Sequence, residues 1–442
     1  MSKPPLAQTA KSRLIDRILG TRQVAADGTT PVAHPVARSL QVPAAYTRFE
    51  QHPEYEKMLV SKAAADRLGL KNPFFRMHEG QAGATTRIDG REYINFASYN
   101  YLGLAGHPTV NQAAKDAIDR YGTTVSASRV VAGERPVQHE LEQALAQVYG
   151  TEDCVVFVSG HATNVSTIGY LFGPKDLILH DSLIHNSVLM GIQLSGAARR
   201  AFPHNDLAAL DQILADIRGQ FQRVLIVVEG VYSMDGDIAD LPTLIDIKQR
   251  HQTFLMVDEA HALGVLGSRG MGLHEHFSVA GDQVDIWMGT LSKTLSGCGG
   301  YIAGNQALVQ QLKYAAPGFV YSVGIAPPLA AASLAALQIM RQEPQRVALL
   351  SQRSQQFLGL LQKAGYDTGY AQGHAIVPLI VGSSVKAVKL TQQLFEAGIH
   401  VQPIIYPAVE EKAARLRFFL SSEHRENALQ QTCRTLQTLL KP

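Results

Sequence analysis

From Tyr93 onward, short apolar runs alternate with amphipathic stretches. The runs are Cys154–Val158, Leu177–His180, Val224–Glu229, Phe254–Asp258 and Ile286–Met288. Between them, Pro136–Val148, Leu207–Arg218 and Leu241–Arg250 carry apolar residues at helical spacing. Runs this short fit strands buried on both faces and are too short for helices. Strand, helix, strand, repeated, predicts an α/β fold with a mostly parallel central sheet and helices on both faces. Such sheets bind ligands beyond the carboxyl ends of their strands. The residues just after each apolar run are therefore the ones to read for chemistry.

After Pro328 a helix is predicted to about Arg341. Beyond it, helices surround strand-like runs at Ile376–Val381, His400–Ile405 and Leu416–Leu420, which predicts a smaller C-terminal α+β domain. The expected division is an N-terminal arm and small-domain segment over 1–92, a large domain over 93–328 and a small domain over 329–442. Within the arm, Leu14, Ile15, Ile18 and Leu19 give Ser12–Gly20 a helical pattern, and a Gly/Pro/Thr-rich connector follows at Gly28–Pro43. Residues 1–45 read either as a flexible leader or as a segment that packs on a partner subunit.

Composition excludes several classes. The 442 residues are 46% hydrophobic and 18% charged, which is ordinary for a globular chain. Net charge is +2 with no long basic run, so no nucleic-acid partner is expected. Three cysteines in such a length make no disulfide framework and suit a reducing, cytoplasmic setting. Met1–Leu14 has no apolar signal core. Tyr321–Met340 is uncharged and long enough to span a bilayer. It contains Gly324 and Pro327-Pro328 and is then Ala-rich, so a buried helix is expected rather than an integral membrane segment. His274-Glu275-His276 lacks the spacing of a zinc-binding HExxH helix, and no metal site is expected.

The first run is followed by Ser159-Gly160-His161-Ala162-Thr163-Asn164. Small residues opening a helix leave free N–H groups that suit a phosphate. Later runs are followed by His180 to His185, by Glu229 to Asp237 with Ser233 among them, by Asp258-Glu259-Ala260-His261 and by Gly289-Thr290-Leu291-Ser292-Lys293. Taken singly, each has an ordinary explanation: an Asp as a helix cap, a His as a structural residue, a Lys in solvent. Gathered on one sheet edge, they are the parts of a pyridoxal phosphate site. Lys293 would form a Schiff base with the aldehyde. Asp258 would keep the pyridine nitrogen protonated, His261 would bond the ring oxygen, and His185 would stack on the ring. Gly160, His161, Ser233 and Thr290 would serve phosphate and ring.

The chain resembles the α-oxoamine synthases, fold-type I pyridoxal phosphate enzymes, from about residue 50 to its end. The resemblance rests on an ordered set of motifs: Ser98-Tyr99-Asn100-Tyr101-Leu102-Gly103-Leu104, His139-Glu140-Leu141-Glu142, Glu229 to Asp237, Asp258-Glu259-Ala260-His261, Thr290-Leu291-Ser292-Lys293 and Arg415-Leu416-Arg417. The first of these is worded most like the serine palmitoyltransferase branch. The resemblance implies decarboxylative condensation of a small amino acid (serine, alanine or glycine) with an acyl thioester on coenzyme A or an acyl carrier protein, giving an α-amino ketone. It implies Lys293 as general base, His185, Asp258 and His261 as its catalytic company, and Ser292 at the cofactor. It also implies Asn100, Tyr101 and Arg417 at the substrates, Arg417 pairing with the amino-acid carboxylate. Tyr321-Ser322 resembles the segment that faces the partner's cofactor phosphate, which implies a homodimer with shared sites.

The chain departs from the family at Ile405, where many members have Arg, and at Ala408, where several have Thr. Glu410-Glu411-Lys412 replaces a common Pro/Gly turn, His161 stands where Phe or Tyr is frequent, and Tyr99 where Asn is frequent. Three other readings compete. A fold-type I aminotransferase shares Lys293. A hetero-oligomeric synthase would use this chain as its catalytic subunit, because Lys293 is present. A Ser-x-x-Lys hydrolase fits Ser383-Ser384-Val385-Lys386 only in the bare pattern, with no accompanying motif.

Overall fold

A computed structural model describes residues 42–440. The Ser12–Gly20 pattern and most of the connector lie outside the described residues. Contacts divide the chain into two compact units between Leu68 and Gly69. Within 42–68 the main element is the helix Pro53–Arg67, whose first turn is capped by His52 Nδ1 accepting the Glu54 N–H at 3.3 Å.

The second unit opens with a hairpin of β1 (Thr85–Ile88) and β2 (Arg91–Asn95). Asp89 and Gly90 both take positive φ at its turn, the geometry for which Asp-Gly is favoured. Next come β3 (Asp153–Phe157), β4 (Leu177–Asp181), β5 (Ala198–Phe202), β6 (Val224–Glu229), β7 (Phe254–Asp258), β8 (Ile286–Thr290) and β9 (Gly300–Gly304). They form one seven-stranded sheet in the order β3-β9-β8-β7-β6-β4-β5. Every pairing is parallel except the two made by β9. The predicted parallel α/β core is therefore present, with five of its strands where the apolar runs stand.

Two strands of this sheet carry no apolar signature. β5 reads Ala-Arg-Arg-Ala-Phe, and its charged residues suit an edge. β9 reads as a glycine loop. Its Gly300 is needed because a Cβ there would lie 2.7 Å from Gly160 Cα and 2.5 Å from Thr163 Oγ1.

Burial on both faces follows from alternation along each strand. Val155, Phe157, Ile178, Leu225, Val227 and Met256 pack into one apolar cluster. Their neighbours Cys154, Val156, Leu177, Leu179, Val224, Ile226, Leu255 and Val257 pack into another. Trp287 is fully buried and donates its indole N–H to Gly281 O at 2.7 Å.

The uncharged stretch Tyr321–Met340 is interrupted, and the helix within it runs Pro327–Gln342. No described helix is long and apolar enough to cross a membrane. Beyond it lie the helix Gln345–Lys363, β10 (Ile376–Ile380), the helix Ser384–Glu396, β11 (Ile399–His400), β12 (Gln402–Ile404), β13 (Arg415–Phe419) and the helix Glu426–Leu439. The single run expected at His400–Ile405 is two strands. β11 joins β2 in parallel, and β12 joins β13 in a second three-stranded sheet with β10. One strand break lets consecutive residues serve two sheets.

Candidate active site

The carboxyl ends of β4, β6, β7 and β8, with the helix after β3, surround a cavity of about 290 Å³. This is near the lower end of small-ligand pockets, roughly 300–1,000 Å³. Nine of the expected residues line it: Gly160, His161, His185, Ser233, Asp258, His261, Thr290, Lys293 and Arg417.

Ser159 caps the helix Gly160–Leu171, its hydroxyl accepting the Ala162 N–H at 3.3 Å. That helix presents its amino end to the cavity through Gly160 and His161. A Cβ at Gly160 would stand 2.9 Å from Thr290 Oγ1, so glycine lets the two loops close on each other. Thr290 donates to Gly299 O at 2.9 Å, and Thr294 donates to Leu263 O at 2.8 Å. These bonds brace the loop that carries Lys293.

Asp258 ends β7 with both oxygens engaged. Asn164 Nδ2 donates to Oδ2 at 2.9 Å, and the Ala260 N–H donates to Oδ1 at 3.0 Å. The same Asn164 amide donates to Ser187 Oγ at 2.9 Å. Ser187 in turn contacts His185 Nδ1 through its hydroxyl at 2.7 Å and its N–H at 3.2 Å. Nδ1 is thus an acceptor, and the ring proton is assigned to Nε2. Asp258, Asn164, Ser187 and His185 form one chain, of which the sequence reading caught only the two ends.

His261 Nδ1 lies 2.7 Å from the Tyr101 hydroxyl. Tyr101 is fully buried and does not line this cavity; its hydroxyl stands against His261. Burial pushes the Tyr101 phenol well above its usual range, which keeps it a donor, and His261 then carries its proton on Nε2. Burial also holds His261 well below the usual imidazole value, with Lys293 and Arg417 adding to the effect. His185 is lowered too, burial outweighing the pull of Asp258. Burial brings Lys293 down to about 8, with Asp258 opposing it. A lysine so lowered is readily a free amine.

Asn100 and Ser292 line an adjoining cavity of about 410 Å³ that shares Tyr99 and Lys293 with the first. The Lys293 ammonium lies 5.6 Å from the Tyr99 ring centre, on the border of the two. The Asn100 amide donates to Ala82 O at 2.7 Å, and its oxygen accepts the Ala105 N–H at 3.1 Å. Ser322 lies apart, in a small cleft beside Arg129 and Gly324. Within the Arg415-Leu416-Arg417 motif the two arginines divide. Arg415 pairs with buried Asp235 at 2.6 Å, whereas Arg417 reaches the cavity. Glu229 lines the cavity as well. It lay inside a recognised motif, but nothing in its wording separated it from an ordinary strand end.

The donor set fits pyridoxal phosphate. A fixed carboxylate, a lowered primary amine, a helix amino end with flanking hydroxyls and two neutral imidazoles meet in one cavity. The sequence matches the aminotransferase class I and II family over residues 91–436. It is 42% identical over 354 residues to the 8-amino-7-oxononanoate synthase of Geobacter sulfurreducens, covering 79% of this chain and 90% of that one. Identity to the same enzyme of Symbiobacterium thermophilum is 39% over 361 residues, 82% of this chain and 91% of that one. The serine palmitoyltransferase structure from Sphingomonas wittichii superposes with a TM-score of 0.83 at 29% identity, covering 87% of this chain and 97% of that one. By motif, cavity and relatives, this chain belongs to the aminotransferase class I and II family and, within it, to the pyridoxal phosphate-dependent α-oxoamine synthases.

Proposed function

We propose that this enzyme joins a small amino acid (serine, alanine or glycine) to an acyl thioester with loss of carbon dioxide. The observation that carries this reading is the meeting of Lys293, Asp258, His185, His261 and Arg417 around one cavity. Pyridoxal phosphate, when bound, supplies an electron sink for the charge that develops at the amino acid's α-carbon. Asp258, oriented by its two donors, would face the ring nitrogen. His261 Nε2–H would donate to the ring oxygen, and His185 would cover the ring. Gly160, His161, Ser233 and Thr290 would hold the phosphate and flanks, with Ser292 supporting the lysine loop.

Lys293 Nζ takes the α-proton, a task suited to an amine near 8. Arg417 orients the amino acid through its carboxylate. The second cavity, which begins at Lys293 and Tyr99 and includes Asn100, is where the thioester of coenzyme A or of a carrier protein would approach. Large and small domains at 93–328 and 329–442, behind an arm at 1–92, belong to this reading. So do a cytoplasmic location and a homodimer. Tyr321 is 85% exposed beside Ser322, which suits a segment that faces a partner's phosphate.

The test is turnover of each amino acid with acyl-coenzyme A and acyl-carrier-protein donors, following carbon dioxide and free thiol together. Equal release of both is expected, and Lys293→Ala should abolish it while the protein still folds. Turnover of Lys293→Ala at the wild-type rate, or transfer of the amino group to a keto acid without carbon dioxide, would refute the reading.

A further inference from the structure

The sheet edge carries a second acid. Glu229 ends β6 and pairs in parallel register with Asp258 at the end of β7. Glu229 is 3% exposed, yet it lines the Lys293 cavity. Its Oε2 accepts the Ser233 N–H at 3.1 Å, and its Oε1 has no partner. The His185 N–H lies nearby without reaching hydrogen-bond geometry. On the other side of the same residue, Ser233 O accepts Arg417 Nη1 at 2.9 Å. Arg417 Nε is buried without a partner. Ser233 thus ties an acid to a guanidinium; both residues line the same cavity, and each keeps one buried polar atom without a partner. Leaving such atoms unpaired is unfavourable, which favours a ligand that engages both.

We propose that Glu229 is a further substrate-binding residue, presenting Oε1 as a hydrogen-bond donor beside Arg417 to the carboxylate of the amino-acid substrate. This rests on the capture role of Arg417 proposed above. Two neighbouring carboxyls in a buried site disfavour each other's ionised form. Asp258 has two donors and Glu229 has one, so the proton stays on Glu229. Burial pushes Glu229 up to about 8 and Asp258 adds to it, against Ser233 and Lys293. The charged and titratable groups that face it are Asp258, Lys293, His185 and Arg417. A carboxylate needs donors, and an ionised Glu229 would repel it. Binding adds one O–H···O bond and transfers no proton.

The experiment is absorbance titration of the cofactor-loaded enzyme with serine, alanine and glycine at pH 7 and pH 9. It compares wild type, Glu229→Gln and Glu229→Ala, with thermal melts of each protein as a folding control. Gln is a neutral donor of equal length whose oxygen can still accept the Ser233 N–H. Glu229→Gln should bind within about threefold of wild type at pH 7, and Glu229→Ala at least about tenfold more weakly. Between pH 7 and pH 9, wild type should lose about tenfold more affinity than Glu229→Gln, as expected for one group titrating near 8. Lys293 and the substrate amine titrate in both proteins, so the difference isolates Glu229. Parallel pH profiles would overturn the proposal, as would a Gln variant that binds as weakly as a folded Ala variant. A wild-type enzyme that responds to no amino acid would instead refute the proposed function.

Discussion

Arg417→Ala separates substrate capture from bracing of the small domain. A brace would need an acidic partner, such as Glu410 or Glu411 in the preceding loop. Neither pairs with Arg417 in the structure: Glu411 accepts from the Ser384 N–H at 2.8 Å and from the Ser384 hydroxyl. The bracing ion pair is Arg415–Asp235, at 2.6 Å and buried. Arg417 donates to Ser233 O at 2.9 Å, touches Met234 Sδ at 3.2 Å and lies over the Phe419 ring, with no acidic partner among the described residues, and burial lowers it. A charge-assisted bond from such a group to a carboxylate is worth about 1.5–3 kcal/mol. At roughly 1.4 kcal/mol per tenfold, Arg417→Ala should weaken amino-acid binding by about ten- to 150-fold. The spectrum of the bound cofactor and the melting temperature should hardly move. Arg415→Ala should do the reverse, because breaking a buried pair costs about 3–5 kcal/mol of stability. Titration with serine and calorimetry on both variants decide the matter. Normal affinity in Arg417→Ala would refute capture, and a melting temperature lowered as far as in Arg415→Ala would show a brace.

Asp258→Asn should fold, because Asn164 Oδ1 is unused and its amide can turn to accept the new donor. Turnover should fall at least about a hundredfold, the loss of roughly 2.7 kcal/mol of charge stabilisation; an unchanged rate would remove Asp258 from the role proposed for it. His204 bridges Asp181 at 3.0 Å and Asp237 at 2.8 Å, and although burial lowers it, hydrogen bonds to the two acids raise it to about 10. A histidine raised in the folded state stabilises fully below its unfolded value of about 6.5, and the benefit is lost as pH climbs through 10. Wild-type stability should therefore decline by up to about 1.4 kcal/mol per pH unit between pH 7 and pH 10 from this group, and His204→Gln should lack that slope in urea unfolding. The same slope in both proteins would refute it.

The central sheet was legible because its strands are buried on both faces, which writes them as continuous apolar runs. β5 and β9 were hidden for opposite reasons. One sits at an edge where charge is tolerated, and the other passes so close to the helix after β3 that it is written in glycine. The β1–β2 hairpin is signalled by Asp89-Gly90 alone, because its short strands are half-exposed and write no apolar run. Strand identity also says nothing of which sheet a strand joins, so the run at His400–Ile405 concealed two.

The site was legible to the extent that its residues end strands. Lys293, Asp258, His185 and His261 each follow an apolar run, and the fold rule brings such positions together. The groups that aim them were not legible, because Asn164, Ser187 and Tyr101 lie inside a helix or behind the first layer. The same logic locates the chain's departures from its family. Ile405, Ala408 and Glu410 to Lys412 line neither cavity. Instead Glu411 caps the helix Ser384–Glu396, so a side chain fixes this loop. The cofactor-facing residues and this loop are therefore held by separate sets of bonds. Changes along the loop leave the chain from Asp258 to His185 undisturbed.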